Sequence, residues 1–407
     1  MTNSARQPLA GVRVLDMGRF VAAPFLTQML GDLGAEIIKI ERPGTGDDIR
    51  GYGPPFLKAR DGSDETSFDY IANNRNKKSV TVDISRPAGA DLVRRLAARS
   101  DIFVENFRAG HLRKYGLGYD DLHKVNPGLV YCSISGFGQT GPYADRPALD
   151  TIFQARSGLM SVTGEPDGPP TKVGTMNCDI TAGLYSAIGI LAALRHREVN
   201  GGTGQHLDMS ALEVAMAALG VRGQSYLCTG EPPRRTGATT PGNSPSGLFM
   251  CQDDYIVITA GADAQFQTLA RTLGADDLAS DPRFLRRASR VEHQVELIAR
   301  IEAILKARPR AHWLDLLLDA GLMCAPINDV GEAFNDPHIK ARGMVVEVEH
   351  SRAGTVPLVA NPIRFSETPI PPFKAPPMLG QHTDEVLAQV LGASPEELEG
   401  LRAAGAI

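Results

Sequence analysis

Val12-Arg13-Val14-Leu15-Asp16, then Phe25-Leu26-Thr27-Gln28-Met29-Leu30-Gly31-Asp32-Leu33, then Glu36-Ile37-Ile38-Lys39-Ile40, is the stretch that decides the fold. Two short runs rich in β-branched residues flank a segment whose apolar side chains recur at helical spacing. That is the pattern of a strand, a crossover helix and a second, parallel strand. The alternation continues outward: Val80–Val82, Ile102–Glu105 and Leu129–Ile134 read as strands, with Ala88–Ala98 and Tyr119–Val125 as helices between them. Crossover helices cover both faces of such a sheet. The expected class is therefore α/β, with a large Rossmann-like, doubly wound parallel sheet.

A chain of 407 residues is too long for one ordinary core, and the pattern shifts near Gly201. Gly201–Gln205 reads as a turn, Gln205–Met209 as a strand, Ala211–Leu219 as a helix, and Gly230–Gly247 has no periodicity. A second unit follows, with a strand at Tyr255–Thr259 and helices near Ala264–Leu273, Arg290–Leu305 and Ala311–Ala320. Residues 1–200 are expected to begin the large domain, 201–228 to link, and 229–330 to form a smaller α+β domain.

Composition narrows the function classes. Apolar content of 43% and charged content of 22% are those of a soluble globular protein, and a net charge of −5 disfavours a general nucleic-acid partner. Five cysteines without CxxC spacing read as reduced thiols, and nine histidines without HxxxH or HExxH pairs predict no metal site. Met1–Gln7 lacks the apolar core of a secretory signal, and no run approaches the ~18 apolar residues of a membrane span. A cytoplasmic protein, or one in an organelle matrix, with no membrane partner, is expected. The segment after the first strand, Asp16–Pro24, lacks GxGxxG, which argues against a nicotinamide oxidoreductase.

Asp179 follows the Gly/Pro-rich loop Thr163–Pro170 and precedes an apolar helix read as Leu184–Leu194. Two readings stand on the residues alone. It is a helix N-cap, a position that favours Asp. Or it is a working carboxylate, pushed up in pKa by desolvation and down by helix N–H groups.

Six ordered blocks add a resemblance. They are Pro8–Gly44, Asn74-Arg75-Asn76-Lys77-Lys78-Ser79, Val104-Glu105-Asn106-Phe107-Arg108, Ser133–Pro142, Ser157-Gly158-Leu159-Met160 and Leu379-Gly380-Gln381-His382-Thr383. Together they span nearly the whole chain and resemble the family III coenzyme A transferases, most closely those handling dicarboxylates. The resemblance implies an interlocked-ring homodimer, with 331–407 returning to complete the large domain. It implies coenzyme A or acyl-CoA as substrate and no permanently bound cofactor, the partners being an acyl-CoA and a small carboxylic acid.

By the same resemblance Asp179 is the nucleophile. Arg42, Val82, Asn106, Phe107, Arg108 and Lys114 belong to the CoA-binding set, and Ser135, Gly136 and Phe137 lie beside the site. Val21 stands where formyl-CoA transferase has glutamine, which disfavours formate or oxalate as the acid. Gln154 is either a polar helix-surface residue or, by the resemblance, part of the active-site wall, and the loop at Gly242 either covers the site or is a plain linker. Arg19 or Arg156 is expected to hold the second carboxylate of a dicarboxylate. Asp150 reads as a residue that orients a loop or contacts substrate, or else as a solvated loop acid or a helix cap. The related α-methylacyl-CoA racemases pair a histidine with the aspartate, but the matching position here is Leu149, which cannot carry a proton. A non-catalytic CoA-binding protein is the remaining alternative, disfavoured by the intact Asp179.

Overall fold

The computed structural model describes residues 7–407. β1 (Arg13–Asp16) and β2 (Glu36–Glu41) pair in parallel around α1 (Ala22–Asp32), with Val14 opposite Ile37 and Leu15 opposite Ile38. A hairpin of β3 (Phe56–Lys58) and β4 (Asp64–Ser67) and the short α2 (Phe68–Asn73) come next. The alternation then resumes as β5 (Lys77–Thr81), α3 (Pro87–Ala97), β6 (Ile102–Glu105), α4 (Tyr119–Val125) and β7 (Val130–Ser135). After α5 (Asp150–Arg156), the single turn α6 (Leu159–Val162) and α7 (Asn177–Val199), β8 (His206–Ser210) closes the sheet.

The strand order is β5-β2-β1-β6-β7-β8, with every neighbouring pair parallel. Successive side chains point to opposite faces. Val14, Ile37, Ile102, Val130 and Cys132 pack with α1 and α7, while Leu15, Ile38, Phe103 and Tyr131 pack with α3 and the C-terminal helices. Each fully buried Leu or Ile stabilises by about 1.5–3 kcal/mol, so a sheet buried on both faces forms the main core.

Residues 201–228, expected as a linker, instead build β8, α8 (Ala211–Ala217) and α9 (Val221–Thr229). Leu207 pairs opposite Cys132 of β7 and packs on the core, which makes this segment part of the sheet. β5 begins at Lys77, earlier than the expected Val80, because the buried Lys77 ammonium is held by Asp16 at 3.1 Å and by Asn74 at 2.9 Å.

α7 begins at Asn177, well before the expected Leu184. Its N-cap is Met176, so Asp179 sits inside the first turn and is not the cap. Gly183 lets the helix close on α1: a Cβ there would meet the Ala22 carbonyl oxygen and the Phe25 ring at 3.0 Å. α7 is also the one described helix whose length and mean hydropathy, 1.3 over its most apolar window, would suffice to cross a membrane. Its inner face, with Cys178, Ala182, Ala187, Ile190 and Leu194, is packed within the core. Its outer face leaves Leu184, Tyr185, Ile188 and Leu191 exposed.

The chain divides into two compact units. One runs to Leu159, includes Val173–Gly230 and ends with Lys340–Ile407; the other comprises Met160–Lys172 and Glu231–Ile339. The second unit holds an antiparallel sheet, order β11-β10-β9, of β9 (Ser246–Met250), β10 (Tyr255–Thr259) and β11 (Met323–Pro326). Helices α10 (Asp263–Thr272), α11 (Asp276–Ser280), α12 (Arg287–Glu292), α13 (Gln294–Leu305) and α14 (Arg310–Asp319) accompany it. The expected single helix Arg290–Leu305 is thus broken at His293. Phe249, Ile258, Phe266, Phe284, Leu297 and Trp313 form its core.

Beyond α15 (Val330–Asn335) and α16 (Pro337–Ala341), the chain adds the hairpin β12 (Val345–His350) and β13 (Gly354–Val359), then α17 (Thr383–Leu391) and α18 (Pro395–Ala403). Thr81 N–H donates to Thr383 Oγ1 at 3.1 Å and Asp83 N–H to the Ala406 carbonyl at 2.8 Å, which ties this tail to β5.

Candidate active site

The strand order reverses between β1 and β6, and in open α/β sheets ligands bind outside the carboxyl ends of the strands at such a point. The loops that leave these two strands are locked together. Arg19 N–H donates to Asn106 Oδ1 at 2.8 Å, and Asn106 Nδ2 donates to the Arg19 carbonyl at 2.7 Å. Glu105 accepts from Phe107 N–H at 2.7 Å, and the Arg19 guanidinium lies 4.6 Å from the Phe107 ring centre. Asp47 accepts from Phe20 N–H at 3.1 Å and holds that residue at φ +61°, a left-handed conformation costly for a side chain of this size.

A cavity of about 680 Å³ opens on one side of these loops. Ile40, Val82, Ile84 and Tyr115 give it apolar and aromatic walls, and Arg42 and Arg108 give it positive charge. Arg42 is more than half exposed and only loosely paired, 3.8 Å from Asp48, so its guanidinium is available to a phosphate. Walls that stack an aromatic base, with arginines at the rim, suit a nucleotide bearing several phosphates.

A second cavity, of about 260 Å³, contains Asp179. Arg19, Phe107 and Arg108 line both cavities, so a long ligand can pass from one to the other along a common wall. Asp150 sets the position of Asp179. Its Oδ2 accepts the Cys178 N–H at 2.8 Å and the Asp179 N–H at 3.3 Å, which caps α7 from a separate element.

Among the described residues no Lys, Arg or His forms an ion pair with Asp179. Burial, and then the Asp150 charge, push its carboxyl up to about 7. The neighbouring Cys178 thiol is driven by burial up to about 12, which leaves it unreactive near neutrality. A half-buried carboxylate at a helix start, open to a cavity and without an ion-pair partner among the described residues, has the chemistry to act as an oxygen nucleophile.

The structure gathers most of the expected site residues and leaves others out. Arg42 and Val82 line the larger cavity; Val21, Asn106, Ser135 and Gly136 line the smaller; Arg19, Phe107 and Arg108 line both. Phe137 packs edge-on against Phe153 at 5.9 Å, behind the wall. Lys114 is exposed beside the Tyr115 ring, 4.7 Å away, outside either lining. Arg156 lies over the Tyr143 ring at 4.5 Å, also outside them. Gln154, expected in the wall, is fully buried: its amide accepts from Val173 N–H at 2.8 Å and donates to Asp150. It braces Asp150 and does not face the cavity. Gly242 belongs to the second compact unit.

Two residues escaped the sequence reading. Arg146 lines the smaller cavity, on the loop between β7 and α5. Its signal is its place beyond the carboxyl end of a core strand, where loops carry binding groups. The other escaped only in part: the sequence marks Asp150 as a loop-orienting acid or a cap, but not its target, the start of α7, a contact across 28 residues of sequence.

The profile of the family described as CoA-transferase family III matches residues 9–383. The chain is 42% identical to a succinate–glutarate CoA-transferase of Agrobacterium fabrum, over 95% of this chain and 96% of that one. It is 38% identical to a succinyl-CoA:glutarate CoA-transferase of Mus musculus, over 98% and 90% of the two chains. The crystal structure of a CAIB/BAIF family protein from Brucella suis superposes with a TM-score of 0.86 at 40% identity, covering 95% of this chain and 100% of that one. With a profile match across most of its length and relatives that cover nearly all of it, this chain is an enzyme that belongs to the family III CoA-transferases.

Proposed function

We propose that the enzyme moves CoA from a dicarboxylyl-CoA, such as succinyl-CoA, to a second free carboxylate, with Asp179 as the nucleophile. The observation that carries this reading is the Asp179 carboxylate, aimed into the smaller cavity by α7 and Asp150 and lacking a cation. It attacks the thioester carbonyl; the C–S bond breaks, CoA leaves as the thiolate, and an aspartyl mixed anhydride forms. The thiolate then attacks the Asp179 carbonyl, releases the donor's acid as a carboxylate and leaves an aspartyl–CoA thioester. The acceptor carboxylate repeats both steps in reverse and regenerates Asp179. No net proton moves, so no general base is required.

The larger cavity would take the nucleotide end of CoA, with Arg42 and Arg108 near its phosphates and Val82 against the base. The relatives' substrates support a dicarboxylate at the acyl end. Proton exchange at carbon, as in the racemases, would need a base where Leu149 stands, 61% exposed in the cavity lining. A homodimer is part of the reading. Leu184, Ile188 and Leu191 form an exposed stripe on a helix that is already packed on its other side, and such a face calls for a second chain.

Incubation with succinyl-CoA followed by mass analysis of the Asp179 peptide tests the mechanism. A CoA thioester on Asp179 is expected, and Asp179→Ala should lower transfer at least ~10³-fold by removing the covalent route. No adduct, together with unchanged exchange in the variant, overturns it.

A further inference from the structure

We infer that Arg146 is the residue that selects dicarboxylates, by binding the carboxylate at the far end of the acyl group; this rests on the CoA-transfer reading of the Asp179 cavity. Three arginines line that cavity, and two have other commitments. Arg19 is paired with Asp48 at 2.9 Å and stacked on Phe107 at 4.6 Å, so its charge is already met within the protein. Arg108 lies on the wall common to both cavities, where the CoA chain must pass to bring its thioester to Asp179.

Arg146 lines the smaller cavity alone, and among the described residues no carboxylate lies within 4.0 Å of its guanidinium. It is nevertheless held in place. Its guanidinium lies 4.0 Å from the centre of the Tyr143 ring, and its backbone N–H donates to the Tyr143 carbonyl at 2.9 Å in a turn closed by Pro147. Stacking on the ring occupies a face of the planar group and leaves its N–H edge free for bidentate contact with a carboxylate.

The remaining wall sharpens the argument. Val21, Ala144, Ala148, Leu149 and Phe153 are apolar, and a free carboxylate lodged against them would be desolvated without compensation. A cavity with the Asp179 carboxylate, an unpaired guanidinium on its own wall and a mainly apolar remainder, in which Asn106 and Ser135 are polar and Arg19 and Arg108 are shared with the larger cavity, accommodates an acyl chain with a thioester at one end and a carboxylate at the other. A monocarboxylyl group fills the same apolar space but leaves Arg146 without a partner. This moves the role of distal cation from the expected Arg19 or Arg156 to a residue that combines access to the cavity with an uncommitted charge.

The test compares the rate of Asp179–CoA thioester formation from succinyl-CoA and from butyryl-CoA, which have four-carbon acyl groups with and without the distal charge. Arg146→Gln should lower the rate with succinyl-CoA about 10–100-fold, the range for losing a charge-assisted hydrogen-bonded pair. The butyryl-CoA rate should change less than about threefold, so the preference for succinyl-CoA collapses, and Arg146→Lys should restore part of it. Arg146 is exposed, and an unchanged thermal melt checks that the fold is kept. Equal losses with both donors, or an undiminished preference for succinyl-CoA, overturn the assignment while leaving the CoA-transfer reading intact. Wild-type enzyme that forms no adduct with either donor overturns that reading, and this assignment with it.

Discussion

Asp16, Glu41 and Asp47 lie under the loop that follows β1 and Asp32 ends α1, and each is met by a cation: Lys77 at 3.1 Å for Asp16, Arg50 at 2.7 Å for Glu41, Lys39 at 2.9 Å for Asp47 and Arg75 at 2.6 Å for Asp32. At the head of α7, Asp150 and Asp179 have backbone N–H groups, the Gln154 amide and each other. The chemical group is the same and the outcome is opposite. Burial alone would raise Glu41, but the Arg50 guanidinium overrides it and brings the carboxyl down to about 2. Burial raises Asp179, the Asp150 charge adds to it, and among the described residues no cation pairs with it, so its carboxyl is pushed up to about 7. The buried pairs rigidify the base of the loop; the unmatched pair keeps a carboxylate poorly solvated and therefore reactive.

Breaking a matched pair should have the largest effect on stability. Asp32 is fully buried and accepts from Arg75 Nε at 2.9 Å and Nη2 at 2.6 Å, from Asn76 at 2.8 Å and from Asn361 at 3.0 Å. Arg75→Met strands that charge and should lower the unfolding free energy by about 3–5 kcal/mol, read from urea denaturation. The acid limb of the activity profile should stay where it is, since Arg75 does not border the Asp179 cavity. A loss well below about 1 kcal/mol would mean that this buried pair is not what holds the end of α1 against Arg75 and Asn361.

The same contrast separates what was legible in the sequence from what was not. Val14, Ile37, Ile102 and Val130 sit in short apolar runs, so the strands and their parallel order could be read directly. Lys77 and Lys78 hid the start of β5, because a charged pair in a buried strand imitates a surface loop until Asp16 and Glu36 are brought against it. The Phe56–Ser67 hairpin was missed for a similar reason: Asp61, Gly62, Ser63 and Asp64 outnumber its apolar residues. Asp179 stood out through its surrounding motif, but its place within the first turn depends on Asp150, a contact that local spacing does not encode. Gln154 and Arg146 were missed in opposite directions. An amide expected in the cavity is buried behind it, and an arginine in an ordinary-looking loop lines it.

Neutralising the unmatched carboxylate gives the next largest effect, with a sign that depends on pH. The folded-state value, about 7, lies above the ordinary 3.8, so the fold binds this proton more tightly than the unfolded chain does. Stability from the neutral form is fully present below about 4 and is lost as pH rises through about 7. Asp179→Asn cannot ionise and escapes that loss. Its melting temperature should match the wild type at pH 4 and exceed it by a few degrees at pH 8, with the gap opening between. A gap of equal size at both pH values would show that ionisation of Asp179 is not the cause.

The smallest effect separates the two sources of the Asp179 shift. Burial is the larger cause and the Asp150 charge the smaller, so Asp150→Asn should lower the Asp179 value only in part. The asparagine carbonyl can still accept from Cys178 N–H and keep α7 capped, while its NH₂ would face the Gln154 amide donor, a mismatch costing about 1 kcal/mol. In the proposed mechanism the attacking form is the carboxylate, so donor kcat/KM in the wild type should rise with pH through about 7. In Asp150→Asn the rise should come roughly half to one pH unit earlier, with little change in the plateau above it. An unshifted limb would assign the whole elevation to burial; a lowered plateau with the limb in place would mean that Asp150 acts by aiming Asp179, not by its charge.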